Sequence, residues 1–309
     1  MRYLVTGGAG FIGSHLIDKL ISLNYEVVCI DDLSSGYEHN LSNSNLLQFI
    51  NKRIQDINLD ELDERIEGIF HLAAQTSVPL SIEEFYSSSS NNLLGTLKVW
   101  DIAKYFDIPI VYASSSAVYG NLPLGDDEID VYDIMCPYAQ DKLTMEDYAR
   151  LCWTLYNIPS MGLRFFNVYG PRQDPTNAYS GVISIFIDRL LKDRDITVNG
   201  GYQTRDFIYV EDIVNVLNES MVKLFNNKMC DAVNVGTGIS ISVNQLLAAL
   251  SSSMNKKPTV ILKDLPPGDP ERSMGKYEKL DRIFNIDRKT FYNLNEGLEK
   301  TIIYFKGSN

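Results

Sequence analysis

A doubly wound α/β architecture built on a parallel sheet is the fold predicted for this chain of 309 residues, and two observations predict it. Through the first half, short β-branched or aliphatic runs alternate with longer amphipathic ones, the pattern of strands buried on both faces and joined by crossover helices. Between the first such run and the first helix lies Thr6-Gly7-Gly8-Ala9-Gly10-Phe11-Ile12-Gly13, a glycine-rich strand-to-helix turn.

Taken in order, residues 2–6, 26–31, 47–50, 68–72 and 108–114 read as buried strands, and residues 11–23, 59–66, 92–106 and 138–156 as the helices between them. A further strand is expected at 161–166, after Pro159. From Gly170 the pattern turns irregular, with a helix near 181–191, a short strand at 196–198 and a helix over 210–225. Ser242 and Gln245 form a capping box opening a helix to Leu250, and residues 294–305 read as a closing helix. Residues 1–169 are thus expected to form a Rossmann-type domain to which elements near 205–236 return. Residues 170–309 would mainly form a smaller, interleaved C-terminal domain.

Composition narrows the function. With 45% apolar residues the chain can bury a large core, and no apolar stretch is long enough to span a bilayer. The N-terminus reads as strand and turn instead of a cleavable leader, so a cytoplasmic location is expected. A net charge of -12, without runs of Lys or Arg, argues against nucleic-acid or anionic-membrane partners. Cys29, Cys136, Cys152 and Cys230 show no Cys-x-x-Cys spacing, and His15, His39 and His71 lie far apart, so neither a metal site nor a disulfide framework is expected.

In the glycine-rich turn, Gly7 permits the tight bend, Gly10 lets backbone approach a pyrophosphate, and Gly13 allows close packing of helix on strand. The N–H groups of Phe11 and Ile12 stand at the helix N-terminus, where they favour an anion. Eighteen residues past Gly13, Asp31 and Asp32 end the second strand, where a carboxylate accepts ribose hydroxyls. A 2′-phosphate there would meet two negative charges with no Lys or Arg between Cys29 and Gln48, which favours NAD over NADP. Asp56 and Ile57, after the third strand, are placed to meet the adenine, and Ala73, Ala74 and Gln75, after the fourth, to line the middle of the cofactor.

Tyr138 and Lys142 stand one helical turn apart on one face, so the ammonium can favour a phenolate that acts as a base. Alone, that spacing would fit an ordinary surface pair. Ser114-Ser115-Ser116, at the carboxyl end of the fifth strand, places hydroxyls in the crevice where such sheets bind ligands.

These motifs, with Ser114 to Gly120 and Arg164-Phe165-Phe166-Asn167-Val168-Tyr169-Gly170-Pro171-Arg172, resemble the extended short-chain dehydrogenase/reductase family. More narrowly they resemble its UDP-sugar 4-epimerases. The resemblance implies Ser115, Tyr138 and Lys142 as catalytic, with Tyr138 and Lys142 also at the cofactor and Ser116 near the sugar. It further implies Asn167 and Arg205 at the nucleotide diphosphate. The family's dehydratases carry Thr-Asp-Glu where this chain has Ser115-Ser116-Ala117, and its decarboxylases need a Glu in the same stretch, so C4 epimerisation is what remains. The segment from Pro267-Gly268-Asp269 to Ser273 matches the family stretch that closes over the sugar. Ser273 stands where a bulky Tyr would crowd an N-acetyl group, and Val182 lies in a run, Tyr179 to Phe186, like that of N-acetylhexosamine epimerases. The usual Arg of this stretch falls on Pro266, leaving Arg272 as substitute, and Gly275-Lys276 replaces a common Ala-Asp. The expected substrate is a UDP-sugar, UDP-N-acetylglucosamine above UDP-glucose, and the family implies a homodimer. A 4-keto reductase and a non-catalytic dinucleotide sensor share this outline as alternatives.

Overall fold

In the computed structural model, which describes residues 1–62, 65–176, 181–266 and 269–307, the chain runs β1 (Arg2–Thr6), α1 (Phe11–Ser22), β2 (Glu26–Asp31), β3 (Leu47–Asn51), β4 (Gly68–His71), α2 (Val78–Glu83), α3 (Phe85–Phe106), β5 (Ile110–Ser115), α4 (Pro137–Tyr156) and β6 (Ser160–Phe165). It continues through β7 (Asn167–Tyr169), α5 (Val182–Leu191), β8 (Ile196–Asn199), β9 (Thr204–Tyr209), α6 (Val210–Asn226), β10 (Cys230–Val235), β11 (Ser240–Ser242), α7 (Val243–Met254), β12 (Val260–Lys263), α8 (Glu278–Phe284) and α9 (Leu294–Gly307).

Seven strands pair in the order β10-β6-β5-β4-β1-β2-β3, and every pairing is parallel. Alternation along each strand divides the core into two layers. Tyr3, Val5, Val27, Cys29 and Leu163 pack with α1 and α6, through Leu16, Leu20, Val216 and Leu217. Leu4, Val28, Ile30, Ile110 and Tyr112 face α3 and α4, through Trp100, Ala103, Met145 and Ala149. All seven strands direct their carboxyl ends to one edge, so Thr6, Asp31, His71, Ser115 and Phe165 share it. Above that edge lie two small sheets, β11-β9-β7 and β12-β8.

Several elements differ from expectation. The helix expected over 59–66 is a single 3-10 turn, Leu59–Glu61, closed by an Asn58–Glu61 capping box. Leu62 is already extended, with φ -99 and ψ 138, which ends helical propagation. Helix α3 begins seven residues before the expected Asn92 and takes in the serines 87–90, with α2 immediately before it, its Ser77 hydroxyl accepting from Leu80 N–H. Strands β9, β10, β11 and β12 and helix α8 lie where the pattern read as irregular, and β7 lies just before it. Strand β10 pairs with β6, from Cys230↔Ser160 to Val235↔Phe165, returning the chain to the main sheet. The Ser242–Gln245 capping box forms as expected.

Candidate active site

The glycine-rich turn is shaped by close approach. Gly7 has φ +70 and a Cβ there would lie 2.6 Å from Ala73 N, while a Cβ on Gly13 would fall 2.1 Å from the Gly7 carbonyl oxygen. Gly10 caps α1 in extended conformation without any side-chain hydrogen bond, and the helix has no acidic residue in its first turn. An uncapped helix N-terminus behind a turn in which no side chain fits is a cradle suited to a pyrophosphate. Asp31 is almost buried, accepting from Ala9 N–H and Leu33 N–H, each at 2.9 Å. Burial raises its carboxyl pKa, and those two backbone donors oppose the shift. Asp31 therefore braces the turn as well as standing where a ribose would lie. Asp32 has a neighbour that sequence order hid, Arg53 Nε at 3.5 Å. The flanking positions divide: Asp56 is exposed, whereas the Ile57 side chain is 1% exposed in the core, leaving only its backbone to face a ligand. Ala73 N–H donates to Thr6 Oγ1 at 3.3 Å, and Ala74 stands half-buried beside it. Gln75 is clamped by Asn92, which accepts from Gln75 N–H at 2.8 Å and donates to its carbonyl at 3.2 Å.

Beside this cradle opens a cavity of about 500 Å³. Its wall contains Ser115, Ser116, Tyr138, Asn167, Val182, Arg205, Asp269, Arg272 and Ser273, so all nine expected substrate-side positions converge on one space. They come from the end of β5, the starts of β7, α4 and α5, strand β9 and the segment after residue 268. Pro266 also lines it. Tyr179, Ser180, Pro267 and Gly268, quoted in the sequence motifs, lie outside the described residues.

Tyr138 is the second residue of α4, its backbone N–H held by Ser81 Oγ at 3.2 Å. Lys142, one turn later, donates from Nζ to the Ala113 carbonyl at 2.7 Å and stands 5.7 Å from the centre of the Tyr138 ring. Asp141, between them, accepts from Asn92 Nδ2 at 3.0 Å. Ser115 Oγ accepts from Ala117 N–H at 3.1 Å. That contact occupies an oxygen lone pair, so the hydroxyl proton is left to donate into the cavity.

The electrostatics correct one expectation. Lys142 was expected to draw the Tyr138 pKa down, yet burial pushes the phenol up to about 12, with hydrogen bonding from Ser115 the opposing influence. Burial also brings Lys142 down to about 8, opposed by the Asp141 carboxylate. Lys142 donates only one of its three N–H groups to the carbonyl, but with burial raising the phenol a phenolate requires further positive charge nearby. Ser114 differs too, turning away from the cavity to donate to Glu146 Oε1 at 2.5 Å. Arg205 pairs with Asp269 across the cavity mouth and donates to the Thr204 carbonyl at 2.9 Å.

Residues that the sequence did not single out hold this arrangement. Asn92 and Ser81 fix the loop after β4 and the start of α4. Beneath β5, Glu146 meets Arg164 at 2.6 Å, and Arg164 donates to Tyr119 Oη at 2.6 Å, which donates to Asn234 Oδ1 at 2.8 Å. Gly275-Lys276 has a local explanation: Gly275 forms a bridge with Gly125, and Lys276 Nζ meets Asp126 Oδ2 at 2.5 Å. Among the described residues no group of three or more His, Cys, Asp or Glu could hold a metal, and no helix is long and apolar enough to cross a membrane.

Fold, cradle and cavity together define an extended short-chain dehydrogenase/reductase. The chain belongs to the NAD dependent epimerase/dehydratase family, whose sequence model matches residues 3–236, and it is an NAD-dependent enzyme of that family. It is 37% identical over 314 residues to a putative UDP-glucose 4-epimerase of Methanocaldococcus jannaschii, covering 99% of each chain. It superposes on the UDP-N-acetylglucosamine 4-epimerase of Methanobrevibacter ruminantium, solved with UDP-N-acetylmuramic acid, with a TM-score of 0.90 and 34% identity over 100% of this chain and 99% of that one. It is likewise similar to a Thermus thermophilus UDP-glucose 4-epimerase in complex with NAD, with a TM-score of 0.88 and 31% identity over 100% of both chains.

Proposed function

We propose that the chain interconverts the C4 epimers of a UDP-sugar, UDP-N-acetylglucosamine and UDP-N-acetylgalactosamine first and UDP-glucose and UDP-galactose second, through a transient 4-keto sugar. The observation that carries this reading is Tyr138 beside Ser115 in a cavity whose reacting end offers hydroxyls and no carboxylate in the Ser115-Ser116-Ala117 run. Gly7, Gly10, Gly13 and Asp31 would hold NAD in the cradle, where it would supply a reversible hydride acceptor. Tyr138 Oη accepts the C4 hydroxyl proton, Ser115 Oγ donates to the same oxygen, and Lys142 holds the cofactor ribose and favours the phenolate. Tyr138 then returns the proton to the C4 oxygen, so the cycle would close without net redox. Elimination of water or loss of carboxylate would need an acid that Ser116 and Ala117 do not supply.

Asn167, Arg205 and Arg272 are assigned to the nucleotide diphosphate, Arg272 substituting for the arginine missing at Pro266. Ser273 and Val182 present small or flat surface on the sugar side, which suits an N-acetyl group. Residues 1–169 with the returning β10 are read as the NAD-binding domain, and 170–309 as mainly the substrate domain. Four free thiols suit a reducing, cytoplasmic setting. We further propose a homodimer through the outer faces of α3 and α4.

Incubating the protein with each UDP-sugar and resolving the C4 epimers tests the reading. Epimer formation with no net change in nicotinamide absorbance is expected, and Tyr138→Phe should slow turnover by on the order of 10²–10⁴-fold. Net cofactor oxidation would favour a 4-keto reductase, and unchanged turnover in Tyr138→Phe would remove the assigned base.

A further inference from the structure

Pro171 to Asp174, the residues after β7, reach back across the first helix and touch the dinucleotide side of the molecule at three places. The Pro171 carbonyl lies 3.0 Å from His15 Nε2, Arg172 Nη2 pairs with Asp18 Oδ2 at 2.7 Å, and Tyr37 Oη donates to Asp174 Oδ2 at 2.6 Å. His15 and Asp18 belong to α1, directly behind the glycine-rich turn. Tyr37 belongs to the loop after β2, and that loop is tied to the turn itself: Tyr37 N–H and Asn40 Nδ2 both donate to the Ala9 carbonyl, at 3.0 and 2.9 Å.

The cradle is therefore bridged from outside. One pillar is α1, the other is the loop after β2, and the segment 171–174 spans them. Arg172 holds a left-handed backbone, φ 65, which a residue with a Cβ adopts at a cost. Its guanidinium reaches Asp18 from that conformation. Asp31, placed to meet an adenosine ribose, ends β2 directly before this loop, so the loop would stand over the adenosine end of a dinucleotide held along the turn, and release would require it to lift away from α1. Lifting the loop breaks the Tyr37–Asp174 bond.

We propose that Tyr37 and Asp174 form a clasp that retains bound NAD, making both positioning residues for the cofactor. The phenol is suited to this task, because its hydrogen bond to the Asp174 carboxylate raises its pKa and keeps the donor protonated well into the alkaline range. The inference uses the placement of NAD on the glycine-rich turn and is independent of the sugar assignment.

The test measures NAD release. Protein loaded with NAD, as wild type, Tyr37→Phe, Asp174→Asn and the double variant, is diluted into an excess of an NAD-consuming alcohol dehydrogenase with its alcohol, and the rise of NADH absorbance reports the release rate. Tyr37→Phe, which removes the bond, should release NAD about tenfold faster, and Asp174→Asn, which keeps an acceptor but loses the charge, about threefold faster. The double variant should release no faster than Tyr37→Phe, the non-additivity expected of two ends of one bond. Tyr37→Phe preserves the ring that stacks on His39 at 5.1 Å, so denaturation midpoints should stay at the wild-type value. Unchanged release, or effects that multiply in the double variant, would overturn the clasp. So would a fall in denaturation midpoint that accompanies faster release, since that marks general loosening. A wild-type protein that holds no NAD would instead overturn the cofactor placement, and is recognised by the absence of any release phase.

Discussion

His71 closes β4 directly beneath the reaction site, with Nδ1 2.7 Å from Thr6 Oγ1 and Nε2 3.3 Å from Thr96 Oγ1. Burial, helped by the nearby Lys142 ammonium, lowers its pKa from 6.5 to about 3. A neutral ring under the site leaves Lys142 as the positive charge beside Tyr138. The sign for stability follows from linkage. Above 6.5 the ring is neutral in folded and unfolded chains alike, and no penalty arises. As pH falls below 6.5 the unfolded chain gains a proton that the folded chain refuses until about 3, so stability declines across that window, by up to about 5 kcal/mol. Urea denaturation at stepped pH should show this decline in the wild type and a shallower one in His71→Gln. Equal slopes would assign the acid sensitivity to other groups; Asp212 is not among them, since burial raises its carboxyl to about 7 and its protonation on acidification favours the folded chain.

Between elements, the ion pair of α4 and β6 decides how β5 is held. Glu146 and Arg164 have side chains 1% and 3% exposed, and Ser114 Oγ bonds the same carboxylate. Removing one partner leaves a buried charge uncompensated, which costs roughly 3–5 kcal/mol. Glu146→Leu should therefore lower the urea midpoint strongly, and Glu146→Leu combined with Arg164→Met should recover much of the loss. A double variant no better than the single would show that Tyr119 and Asn234 need the guanidinium as much as Glu146 does. This pair also marks the limit of what the sequence revealed. The spacing of Tyr138 and Lys142 and the glycines of the turn were legible because local geometry alone gives them meaning. Glu146, Asn92 and Ser81 were not, because each acts through a partner far away along the chain. The same holds for elements: strands buried in the main sheet announce themselves by continuous apolar runs, whereas β7, β11 and β12 are short, with β11 half-buried, β12 exposed and only Tyr169 of β7 buried. The helix expected at 59–66 failed because its apolar spacing marks a turn packed on the core, and spacing does not report the extended backbone at Leu62.

For the whole molecule, one feature the monomer leaves unexplained is the apolar outer surface on α3 and α4. On α3, Tyr86, Leu94, Leu97 and Tyr105 recur at intervals of eight, three and eight residues, which brings them within one stripe of the helix, and Tyr86 is 83% exposed. On α4, Leu151 and Leu155 stand one turn apart, Leu155 being 57% exposed. The opposite faces of both helices are already spent on the sheet through Trp100, Ala103, Met145 and Ala149. An apolar stripe shared by two adjacent helices costs solubility unless it is covered. In the dimer proposed above, a second copy would supply the cover by isologous packing, each pair of helices meeting its twin in a four-helix arrangement. Placing one charge on each helix, as Leu94→Glu with Leu155→Glu, sets like charges against each other across such an interface while leaving the internal core untouched. Sedimentation should then change from a dimer to a monomer with the circular dichroism spectrum retained. Wild-type protein that sediments as a monomer would exclude the dimer. A double variant that stays dimeric would place the interface elsewhere.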